Sequence, residues 1–131
     1  MAVGLAPATA NSILNSLCRA TAWTAPSAVW IKLHTADPGA AGATAPATET
    51  TRKQITFGSV AAGGSIANTA AVQWTNILAT GTEDASHYSL WDASTAGNFL
   101  ASGVITANAF VAGDTYNMAI GAIVLNFGVA A

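Results

Sequence analysis

AVWIKLHTADPG, residues 28–39, decides how this chain folds. Val29, Ile31 and Leu33 alternate with Trp30, Lys32 and His34, a period of two that sends one set of side chains to a core and the other outward. That is the pattern of a half-buried strand. It stops at Asp37-Pro38-Gly39, where Pro38 fixes φ and Gly39 accepts a positive φ, so the strand runs into a turn. The stretch that follows, through Thr51, is rich in Ala, Gly, Pro and Thr and reads as an extended loop long enough to reach a neighbouring molecule.

Downstream the same period and punctuation recur. Arg52–Val60 sets Ile55 and Phe57 against Gln54 and Thr56, and Gly63-Gly64 predicts a hairpin turn into Ile66–Trp74. After a loop over 76–85, His87, Ser89 and Trp91 oppose Tyr88, Leu90 and Asp92. Asn98–Thr106 and Thr115–Phe127 follow, opened by the turns at Gly97 and Gly113-Asp114. No helices alternate with these segments, which argues against a parallel α/β fold. The expected fold is mainly β: an antiparallel β-sandwich or small barrel of about six to eight strands, with one short N-terminal helix.

That helix is read upstream, over 9–22. Thr9 can cap it, and Ile13, Leu14, Leu17 and Cys18 form one apolar stripe, with Asn11, Ser12, Asn15 and Arg19 opposite. Pro26 prevents its continuation. Two segments are therefore expected: residues 1–27, an N-terminal contact arm carrying the helix, and residues 28–131, a single β domain. Cys18 is the only cysteine, so no intramolecular disulfide can form, and it reads as a small buried hydrophobe. No basic residue precedes Arg19 and no long apolar run follows the start, so a secretory signal is not expected. The apolar tract Met118–Ala131 is too short for a membrane span, and the protein is expected to be soluble and made in a reducing cytoplasm.

Composition sharpens the functional question. The chain has 131 residues, 52% of them hydrophobic and only 8% charged, with four basic and six acidic side chains and a net charge of −2. So few positive charges argue against an electrostatic grip on nucleic acid or an anionic membrane. A free monomer normally stays in solution behind a charged surface. A neutral exterior of this kind predicts that much of the surface is covered by other copies, as in a homo-oligomer such as a trimer.

The residues that could carry chemistry do not converge. There is no phosphate-binding glycine loop, no G-x-S-x-G elbow and no H-E-x-x-H. Asp37, Glu83, Asp84 and Asp92 could accompany His34 or His87 at a metal, but both histidines sit at strand ends, where backbone groups satisfy them. Ser86 or Ser89, His87 and Asp92 cannot assemble a triad, because neighbours on one strand face opposite ways. No catalytic residue, cofactor or metal is expected. Of the four tryptophans, Trp74 and Trp91 read as core. Trp23 and Trp30 bracket the helix-to-strand turn and, with Ile13, Leu14 and Leu17, are the candidate interface residues. Exposed aromatics could also serve carbohydrate binding.

Three stretches also carry a resemblance: WIKLHTADPGAAGATAPATETTRKQITFGSVAAGGSIANTAAVQWTNI, then ASHYSLWDASTAGNFLASGVITA, then AGDTYNMAIGAIVL. The strand ending in L-H-T-x-D-P-G, the Trp-Thr-Asn segment, the S-x-W-D-A with its following G-x-F-L, and the A-G-D-T strand opener resemble a group of small virion proteins of tailed phages, especially those of actinobacteria. Their labels include tail fibre, minor tail and capsid decoration protein. The resemblance covers nearly everything from Ala28 onward. It implies a structural virion protein, offers no catalytic residue, and is consistent with a repeated, closely packed β subunit. The leading expectation is a capsid decoration protein that clamps the major capsid protein shell from outside, assembled in the host cytoplasm. The alternative is a minor tail or tail fibre protein that contacts tail proteins and the host surface.

Overall fold

The computed structural model describes residues 3–130; Met1, Ala2 and Ala131, the outer ends of the two expected segments, lie outside them. In chain order the elements are α1 (Pro7–Arg19), β1 (Val29–His34), β2 (Lys53–Ile55), β3 (Ser65–Ala67), β4 (Val72–Trp74), β5 (Glu83–Trp91), β6 (Phe99–Phe110), β7 (Tyr116–Met118) and β8 (Val124–Asn126). The fold is mainly β, as the alternation predicts. Every strand pair is antiparallel. A four-stranded sheet runs in the order β2-β1-β5-β6, and two small sheets pair β3 with β8 and β4 with β7. The layers are sandwich-like and do not close into a barrel.

The decisive strand sits where its pattern puts it. β1 lies inside the main sheet, with Ile31 opposite Leu90 and Leu33 opposite Tyr88 on β5. Ile31 and Leu33 are fully buried and meet Trp74, Tyr116, Met118 and Phe110 in a single core. Trp74 is core, as expected, and its indole N–H donates to the Thr51 carbonyl at 2.8 Å. An aromatic stack runs through this layer, Tyr116 meeting both Trp74 and Phe110 edge to face.

Several boundaries differ from the sequence reading. The helix begins two residues before Thr9, because Pro7 fills its first position and Ala6 is the cap residue. Thr9 is not the cap; its side chain is buried, and its hydroxyl donates to the Phe99 carbonyl at 3.5 Å, which ties α1 to β6. Ala20, at φ 51°, closes the helix with a left-handed residue, and Thr21 N–H returns to the Asn15 carbonyl. Cys18 is exposed rather than buried; the helix residue buried against the sheet is Thr9, in the first turn. The expected strand 66–74 is two strands in different sheets, β3 and β4. So is 115–127, where Asn68 and the turn around Gly121 redirect the chain. The acidic pair Glu83-Asp84 starts β5 instead of lying in a loop.

Residues 35–51 are not the extended loop that the sequence suggested. Thr35 N–H bonds the Ala45 carbonyl, Thr44 N–H the Pro38 carbonyl and Ala47 N–H the Leu33 carbonyl, so the segment folds back along β1. Pro38, Ala47 and Glu49 are buried beneath it. No helix among the described residues is long and apolar enough to cross a membrane.

Candidate functional site

The histidines and the buried Glu49 are committed to the fold. His34 is fully buried, its Nδ1 2.8 Å from the Thr44 carbonyl and its Nε2 2.8 Å from Ser89 Oγ. A carbonyl only accepts, so Nδ1 carries the proton. Nε2 of the neutral ring then accepts from the Ser89 hydroxyl, whose oxygen in turn takes the Trp91 indole N–H at 2.8 Å. The pair has the spacing of a nucleophile and its base, but neither atom is open to a substrate and no carboxylate orients the ring. Burial lowers the His34 pKa, helped by the Lys32 charge and opposed by the Thr44 carbonyl. Among the described residues the His87 side chain bonds only its neighbour Ser86, at 2.8 Å. Glu49 caps two backbone N–H groups, of Thr51 and Leu78. Burial raises its pKa, but those bonds and Lys53 outweigh that and hold it below the usual value. Among the described residues no three His, Cys, Asp or Glu side chains gather into a metal site.

At the far end of β5 the turn 92–98 is a built structure. The Arg52 guanidinium lies 3.9 Å from the Trp91 ring centroid and donates to the carbonyls of Ala93 and Ala96 at 2.8 and 2.6 Å. Asp92 accepts the Asn98 backbone N–H and side-chain amide, both at 2.7 Å, and these bonds, with a smaller part from Arg52, keep its pKa low. Trp91 is thus half-buried under an arginine rather than in the core as the sequence suggested.

One side of the fold leaves an apolar opening. Between α1, the main sheet and the β3–β8 pair run two adjoining hollows of about 270 Å³ each. They share Leu5, Ile66, Ala101, Leu125 and Phe127, so they form one groove, whose wider part also takes in Ile13 and Trp23. Phe127 is 55% exposed on its rim. Beside it, α1 turns Leu14 and Leu17 to solvent, 56% and 78% exposed. Burying such a contiguous patch is favourable, and monomeric proteins seldom display one without use for it.

The five residues singled out from sequence are distributed over this region unevenly. Ile13 lines the groove and is half-buried; Leu14 and Leu17 stand exposed on α1; Trp23, 42% exposed, forms a wall of the groove. Trp30 is half-buried in β1, opposite Gln54 and Trp91, and is not among the groove's lining residues. Leu5, Ile66, Leu125 and Phe127 went unread as surface residues. For Leu125 and Phe127 the signal was the apolar tract after Met118, whose strand pattern gave no hint that β8 pairs with only the three-residue β3 and leaves its apolar side uncovered.

Fold and surface together define a small antiparallel β protein with an apolar groove on one side. The chain belongs to a phage fibre family: the family model described as podophage GP4 fiber I protein gp80 matches residues 4–126. It is therefore a phage virion structural protein, as the resemblance from sequence implied. No curated protein matches the chain.

Proposed function

We propose that this chain is a non-enzymatic structural subunit of a phage tail fibre, whose copies pack on one another and on neighbouring tail proteins through the α1 face and the adjoining groove. The observation that carries this reading is the continuity of exposed Leu14 and Leu17 with a groove lined by Ile13, Leu125 and Phe127, in a chain with few charges. Residues 1–27 then act as the contact arm and 28–131 as the β domain that carries it. The family description favours a fibre over capsid decoration, so the tail location replaces the shell as the leading assignment.

Light scattering coupled to size exclusion tests the packing. The wild-type chain should run as a multiple of 13.1 kDa, and Leu14→Asp/Leu17→Asp should run at 13.1 kDa with an unchanged circular dichroism spectrum. Both substituted positions are exposed on the helix, so the fold should tolerate them. A wild-type monomer, or a double variant that assembles normally, would contradict the proposed surface.

A further inference from the structure

On the other side of Trp23 lies a second pocket of about 270 Å³, different in character from the groove. Its working surface is Ser12 on α1, Trp23 and Thr24 in the connecting segment, Asp92 and Asn98 on the β5–β6 turn, and the Phe99 ring. It combines an exposed indole with a carboxylate, an amide and two hydroxyls around one concavity. We propose that this pocket binds a neutral saccharide unit, with Trp23 as the stacking platform and Asp92 and Asn98 as the hydroxyl-reading groups.

The hydrogen-bond inventory supports that class of ligand. A sugar presents apolar C–H faces and a ring of hydroxyls, each both donor and acceptor. The carboxylate of Asp92 has about four accepting positions, and Asn98 fills two. The Asn98 side chain keeps one amide proton and its Oδ1 free, while its backbone carbonyl accepts the Asp92 N–H. The Ser12 and Thr24 hydroxyls and the Trp23 indole N–H make no hydrogen bond among the described residues. Donors and acceptors are therefore both available around an aromatic wall, as sites for polar ligands with an apolar face require.

The polar wall is also held still before any ligand arrives. Arg52 pins the turn through Ala93 and Ala96, Asp92 and Asn98 lock each other, and Gly97 closes the turn at φ 73°, where a Cβ would strike the Asp92 carboxylate. Preorganisation of this kind reduces the ordering cost that otherwise weakens binding. Charge selects within the class. Among the described residues Asp92 is the one charged group lining the pocket, and Arg52 lies outside that lining, over the Trp91 face. An acidic sugar would meet a carboxylate with no cation in the lining to answer it, so neutral sugars are favoured.

The assay is saturation-transfer difference NMR on the full chain with glucose, galactose, N-acetylglucosamine, rhamnose and glucuronate as probes. At least one neutral sugar should give signal, and Trp23→Ala should weaken it about tenfold, the loss of a contact of some 1.4 kcal/mol. Asn98→Ala should weaken it too, whereas Leu17→Ser, on the far side of α1, should leave it intact. Glucuronate should bind more weakly than glucose. Silence from all four neutral sugars would overturn the proposal, as would full binding by Trp23→Ala or equal binding of glucuronate. Because the readout needs no assembly, it fails or succeeds separately from the fibre reading.

Discussion

The ring of Tyr88 on β5 fills the space that a Cβ at its cross-strand partner Gly103 would need. That contact explains a glycine in the middle of a long strand, where it otherwise weakens the sheet. Burial pushes the Tyr88 hydroxyl up to about 12, so the ring stays neutral at any ordinary pH. Gly103→Ala should therefore cost about 3 kcal/mol by overpacking, measured by urea denaturation, and a loss under 0.5 kcal/mol would show that the ring can move aside. His34 makes a second prediction at this scale. Folded, its buried ring resists the proton that the unfolded chain accepts below the ordinary value of 6.5, so the unfolded state binds more protons there. Stability is complete above pH 6.5 and should fall as pH drops below it, by at most about 1.4 kcal/mol per unit for one group. Glu49 and Asp92, with lowered carboxyl pKa values, lose their contributions only further into acid, so the fall between pH 6.5 and 5 belongs to His34. His34→Gln should flatten that part of the profile; an unchanged slope would refute the assignment.

Among the elements, the short pairs depend on a single buried amide. Asn68 donates through Nδ2 to the Ala70 and Ala119 carbonyls and accepts the Ile123 N–H at Oδ1, while its own backbone bonds Ile123 and Gly121. It joins the turn between β3 and β4 to the turn between β7 and β8. Asn68→Ala leaves three backbone groups without partners and should destabilise the protein by about 3 kcal/mol, with hydrogen exchange rising first in β3 and β8. Uniform exchange across all strands would show that the small sheets are not held separately. This junction also marks where sequence reading ran out. Val29–His34 was legible because one face of β1 meets the core and alternation survives. The strand pattern over 66–74 looked continuous, because nothing local reveals that a buried Asn68 turns the chain into another sheet. The same holds for 115–127. At the N-terminus, Pro7 outranked Thr9 as the start signal, and of the stripe Ile13, Leu14, Leu17 and Cys18 only Cys18 was read as buried, where it is in fact exposed. α1 buries Thr9 against the sheet and leaves Leu14, Leu17 and Cys18 outside. A helix stripe says which residues share a face, not whether that face meets its own sheet or a partner.

For the molecule as a whole, the distribution of polarity separates scaffold from contact. Its buried polar side chains His34, Glu49, Asn68 and Ser89 hold turns and sheets together, whereas its outward apolar residues concentrate along α1 and the β3–β8 side. A neutral exterior of this kind suits a subunit that spends its life against neighbours, and the fibre family supplies the setting. The groove and helix were half legible: Ile13, Leu14, Leu17 and Trp23 were readable as an amphipathic arm, but Leu5 and Phe127, more than a hundred residues apart, meet only in the folded chain. The central claim, a structural subunit of the tail rather than of the shell, is tested most directly by separating heads from tails of purified virions and quantifying this chain in each by mass spectrometry. The account predicts that it segregates with the tails, at few copies relative to the major capsid protein. Recovery with the heads, in fixed high ratio to the shell protein, would contradict it.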